Sequence, residues 1–147
     1  MPLRTFDLWA RMRGWDPAFA TLEASARRQF DAAPPTVLLG TNRTVIAHGQ
    51  YAWRDTGWRW HAWRPDPTRR PTDHYQLTAG WPGDTAVEHA TPVLIVGEGD
   101  TLPADWLARL EPPERLAEAR RPQALGRDLH LVLWRTRWRP TTGDLAP

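Results

Sequence analysis

The sequence of 147 residues contains no cysteine and no lysine, and Ser25 is its only serine. Without thiols there is no disulfide framework, no thiolate nucleophile, no thiolate zinc site and no iron–sulfur ligation. Serine catalysis is excluded as well, because Ser25 falls in the middle of a predicted helix. Long apolar runs are missing too: the longest stretch dominated by apolar residues, 129–134, is far shorter than a membrane-crossing helix requires. The first ten residues include Arg4 and Asp7 and lack the apolar stretch of an export signal, so a cytoplasmic location is expected.

What is present is a chain of one domain's length, with 41% hydrophobic residues, 15 prolines and 10 tryptophans. Nineteen arginines stand against 17 acids, leaving a net charge of +2. The sequence pI of 9.9 overstates this excess, since without lysine or cysteine little titrates between neutral pH and the arginine range. Charge position therefore matters more than charge total. Two windows are basic: residues 53–70, with five arginines and two aspartates, and residues 134–139, with three arginines and no acid.

The periodicity predicts a helix over 16–30, opened by Asp16 and Pro17 and presenting Phe19, Leu22, Ala26 and Phe30 on one side. A shorter turn over 5–13 precedes it. The middle predicts a strand meander, with hairpins turning at 40–43 and 54–57 between strands over 37–39, 44–53 and 58–64, and a further strand over 74–79. Residues 93–96 form the unbroken apolar run of a central strand. A short helix after Asp100, with Trp106, Leu107 and Leu110 buried, and a second over 114–121 precede a last strand over 129–138. The expected fold is α+β: an amino-terminal helical unit on a largely antiparallel sheet, with a short helical insertion before the last strand. One domain over 1–139 and a frayed tail over 140–147 complete the organisation.

Strand alternation in the second predicted hairpin puts Val45, Ala47, Tyr51, Trp53, Trp58, Trp60 and Ala62 on one face, the composition of a core. The other face, exposed, carries Arg54, Arg59, His61, Trp63 and Arg64, with Arg69 and Arg70 on the next loop. Guanidinium groups around an aromatic ring suit phosphate contact combined with base stacking. Arg135, Arg137, Trp138 and Arg139 extend the same composition where the last strand leaves the core. These residues form the expected nucleic-acid-binding surface, for single strands or backbone shape, DNA or RNA alike. Tryptophan and arginine also dominate protein–protein hot spots, so an adaptor module or a homo-oligomer is the alternative. An enzyme with an acidic or histidine site ranks third and is not favoured. His48 and His61, joined by a carboxylate such as Asp73, would be the histidine candidates. The loop 97–100 lacks the lysine and the glycine spacing of a nucleotide site. Neither a metal nor a cofactor is expected.

Overall fold

A computed structural model describes residues 14–32, 37–63, 80–81, 92–123 and 126–139. Helix α1 (Trp15–Ala32) leads into strand β1 (Val37–Gly40), helix α2 (Arg43–Ala52), a 3-10 turn (Arg54–Thr56) and strands β2 (Trp60–Trp63) and β3 (Gly80–Trp81). Strand β4 (Pro92–Glu98), the short helix α3 (Ala104–Leu107) and the hairpin of β5 (Glu114–Pro122) and β6 (Asp128–Arg137) follow. The six strands form one sheet in the order β3-β2-β1-β4-β6-β5. Its two long ladders, β4 with β6 and β6 with β5, are antiparallel. The shorter pairings among β1, β2, β3 and β4 are parallel. The architecture is α+β, as expected, with a helix on the sheet and a short helix ahead of the final hairpin. Among the described residues no helix is long and apolar enough to cross a membrane.

The two sheet faces bury separate cores. On one, α1 and α2 supply Phe19, Leu22, Val45 and Ile46 against Leu38, Trp60, Leu94, Leu131 and Leu133. On the other, Leu102, Trp106 and Leu110 cover Leu39, Trp63, Val93, Ile95, Val132 and Trp134. We call these the helix face and the far face. The alternation in β6 follows the sequence expectation, with Leu129, Leu131 and Leu133 on the helix face and Val132, Trp134 and Trp138 on the far face.

Four local expectations are corrected. Residues 44–52 of the expected hairpin strand over 44–53 lie in α2, and Trp53 caps that helix. Asn42 is a helix cap and not a turn residue, its side-chain oxygen accepting from the Val45 amide at 2.9 Å. Asparagine serves both roles, and the parallel pairing of β1 with β2 demands a crossover where an antiparallel hairpin would need only a turn. Residues 114–121 form β5 and not a helix. Their Ala, Glu and Arg content favours a helix in isolation. Pairing with β6 overrides it, and Ala117 and Ala119 are small enough to lie beneath α1. Leu107 is 40% exposed, whereas Trp106 and Leu110 are buried as expected. The expected turn over 5–13, the strand over 74–79 and the tail over 140–147 lie outside the described residues.

The α1 packing is aromatic. Trp53 meets Phe19 edge-on at 5.2 Å, stacks on Trp60 at 5.4 Å, and donates its indole N–H to the Phe19 carbonyl at 3.2 Å. Phe30 stacks on the half-buried Trp58 at 4.2 Å. Tyr51, assigned to this core by alternation, is 60% exposed, because the helix turns it outward. Gly49 lies under the Trp60 indole, so closely that a β-carbon there would stand 2.2 Å from a ring carbon.

Two stability outcomes follow. Trp53→Ala should cost about 3–5 kcal/mol in urea unfolding, by loss of a buried indole and its hydrogen bond. Gly49→Ala should destabilise by about 1–3 kcal/mol although alanine is the better helix former, because the rigid ring beneath it is overpacked. A Gly49→Ala protein as stable as the parent would disprove the α2–β2 contact.

Candidate functional site

The predicted binding surface divides when placed on the fold. Trp63 is 2% exposed and Trp138 is 3% exposed. Both were expected to offer rings to a ligand; instead Trp63 packs against Trp106 at 4.9 Å and Trp138 at 5.3 Å, inside the far-face core. The cause is topological: β2 is an interior strand between β1 and β3, with residues 102–110 over the face assumed to be open. His61 is half-buried on that face, opposite Leu39. His48 lies on α2, on the helix face, so the two histidines do not share a site. Asp73, Arg64, Arg69 and Arg70 lie outside the described residues.

The remaining arginines occupy identifiable places. Arg54 lies on the 3-10 turn, its guanidinium 4.4 Å from the Tyr51 ring centre and donating to the Tyr51 carbonyl at 2.8 Å. Arg59 is exposed, one residue ahead of β2. Trp60 pairs with Leu38, Val37 with Val93 and Pro92 with Arg137. Arg59 and Arg137 therefore lie at one end of the sheet, the amino ends of the parallel strands, about 15 Å apart at three strand spacings. Arg139 joins this lower end, its amide donating to the Arg109 carbonyl at 2.9 Å. Arg135 is ion-paired with Glu114 and donates to Gln29 on α1 at 3.1 Å. Gln29, Ala32, Glu111, Glu114, Arg135 and Arg137 line an open depression of about 410 Å³ here.

At the upper end, strand order reverses between β1 and β4, the place where open sheets with parallel strands hold ligands. Here the protein's own groups fill it. Asn42 donates to Glu98 at 3.4 Å, the Thr41 amide to the Val96 carbonyl at 3.1 Å, and the Thr41 methyl abuts Gly97. Beside it, His48 stacks flat on Trp15 at 4.2 Å. Burial holds this imidazole below the ordinary histidine value, against the pull of Asp16 and Glu98.

A cluster missed in the sequence lies on the far face of the hairpin. His130 bonds Glu118 at 2.9 Å and approaches Asp100 at 3.7 Å, while Arg115 contacts Asp100 and Glu118, each at 3.0 Å. The His130 hydrogen bond holds the Glu118 carboxyl below the usual glutamate value, with Arg115 contributing less. Asp100 was legible as a carboxylate following a strand. Glu118 and Arg115 were not, because their segment was assigned to a helix, and no local signal ties them to His130.

This chain matches no family model, no curated protein and no solved structure. Its function is therefore read from its own residues.

Both displaced groups are depressed in the folded state, so each contribution is intact above the unfolded-chain value and is lost as pH falls towards the folded one. Stability should decline first just below the ordinary histidine range, through His48, and again below the ordinary glutamate value, through Glu118. In urea titrations across pH, His48→Gln should flatten the first decline and Glu118→Gln the second. An unchanged acid slope in Glu118→Gln would contradict the His130 hydrogen bond.

Proposed function

We propose that this is a cytoplasmic nucleic-acid-binding protein that grips the phosphate backbone, of DNA or RNA, along the lower end of its sheet without reading bases. The observation behind this reading is the strand register, which sets the backbones of Arg59 and Arg137 about 15 Å apart at one end of the sheet, on opposite faces, with Arg139 beside Arg137. That span covers four or five phosphates of one duplex strand, at about 3.4 Å of axis per phosphate. Guanidinium groups suit such contacts because their planar donors match phosphate oxygens.

Burial of Trp63 and Trp138 removes the stacking part of the sequence expectation and leaves the electrostatic part. The same burial weakens the adaptor alternative, which needs exposed anchors. Among the described residues the exposed large hydrophobics are Tyr51 and Leu107, on α2 and α3, which pack on opposite sheet faces and form no common patch.

Fluorescence-polarisation titrations of single- and double-stranded oligonucleotides at two salt concentrations test the proposal. Binding should weaken steeply with salt and depend little on sequence. Arg59→Gln, Arg137→Gln and Arg139→Gln should each weaken binding to all sequences alike and flatten the logarithmic salt slope by nearly one. No binding at the lower salt, or unchanged slopes in all three variants, would overturn it and return the lead to a protein partner.

A further inference from the structure

His130 lies seven residues before Arg137 along β6, about 23 Å from the lower end. Its surroundings therefore form a separate chemical environment. The imidazole is 10% exposed, on the far face of the hairpin, with the Glu118 carboxylate of β5 on one side and Asp100 on the other. Asp100 belongs to the loop after β4, and that loop is tied to β6 at this residue: the Gly99 amide donates to the His130 carbonyl at 2.9 Å. Gly99 makes the turn with φ +85°, a left-handed conformation that suits glycine. Three chain segments thus deliver one imidazole nitrogen and two carboxylate oxygens, all within 4.8 Å of one another.

Asp100 and Glu118 carry two negative charges, met by Arg115, which bonds both, and by Arg120, opposite His130 in the ladder, which acts on Glu118. Arg115 touches the two carboxylate oxygens that face the imidazole, so its guanidinium stands where a small cation would compensate both. It also has somewhere else to go. Arg115 lies at the register shift of β5, its side chain is 37% exposed, and its guanidinium already lies 5.1 Å from the Trp134 ring centre. The exposed side chain can therefore swing towards solvent when its carboxylates are taken.

We propose that Asp100, Glu118 and His130 form a binding site for a divalent first-row transition ion, with Zn²⁺ the best match, and that Arg115 holds the cation position in the ion-free protein. One imidazole with two carboxylates is a zinc donor set, and three protein ligands is the number found where zinc keeps an exchangeable fourth. Binding opens the 2.9 Å His130–Glu118 contact slightly and draws Asp100 in, to separations of roughly 3.3 Å, the edge of a tetrahedron with metal–ligand bonds near 2.0–2.2 Å. Asp100 faces Nδ1 of His130 and Glu118 faces Nε2, so binding requires the imidazole and carboxylates to rotate about their side-chain bonds until one ring nitrogen faces both oxygens.

Calorimetric titration of the full chain with ZnCl₂, after chelator treatment, tests the site. The parent should bind one zinc per chain, with a rise in thermal midpoint. Glu118→Gln, Asp100→Asn and His130→Ala should each weaken binding at least tenfold, with circular dichroism reporting that each is folded. Arg115→Gln should bind several-fold tighter, an outcome that a purely structural ion-pair ring would not produce. If His130→Ala does not fold, the two isosteric carboxamide variants decide. Zinc binding undiminished in both, weaker binding in Arg115→Gln, or no saturable binding in either the parent or Arg115→Gln would overturn the proposal.

Discussion

Strand β4 carries the rest of the structure. It is paired on both edges, parallel to β1 and antiparallel to β6, and Val93, Leu94, Ile95 and Val96 are fully buried. Leu94 and Val96 belong to the helix-face core, Val93 and Ile95 to the far-face core. A strand buried on both faces must be apolar at every position, and this one is the chain's unbroken run of aliphatic residues. Through it a parallel unit of β1, α2 and β2 is joined to an antiparallel hairpin, and the spacing between Arg59 and Arg137 depends on that register.

Tryptophan fills the two cores in different ways. On the helix face, Trp53 and Trp60 meet the α1 residue Phe19 at edge-on angles, so aromatic geometry sets how α1 lies on the sheet. On the far face, Trp63, Trp106 and Trp138 form a second group beneath residues 102–110. These rings bring large apolar surfaces with one polar atom each. Trp53 satisfies its N–H on a backbone carbonyl; the buried N–H groups of Trp60 and Trp134 have no acceptor among the described residues. An unmet buried donor costs about 1–3 kcal/mol, so ring packing outweighs hydrogen bonding at those two positions.

Charge is arranged by sheet end. The lower end gathers Arg59, Arg135, Arg137 and Arg139 against Glu111 and Glu114, an excess of arginine in a protein that is nearly neutral overall. On the hairpin's far face, towards the upper end, acids and bases alternate in a closed ring around His130. The first arrangement is the one on which the proposed phosphate contact rests. The second meets its two carboxylates with arginines and the imidazole of the same protein.

The sequence by itself determined the segments whose periodicity is long or whose composition leaves no choice. Helix α1 was legible from Phe19, Leu22 and Ala26 at helical spacing, β4 from its aliphatic run, and β6 from strict alternation, which placed Leu131 and Val132 on opposite faces. Tertiary structure decided the short segments in which local preferences nearly cancel. Residues 43–52 became a helix because two parallel strands needed a crossover, and 114–122 a strand because β6 offered an edge to pair with. The candidate sites followed those two decisions. Trp63 and Trp138 were lost to the core because the cover of a sheet face is a long-range property, invisible to alternation along one strand. Asp100, Arg115, Glu118 and His130 come from three segments, and only the strand register brings them within reach of one another.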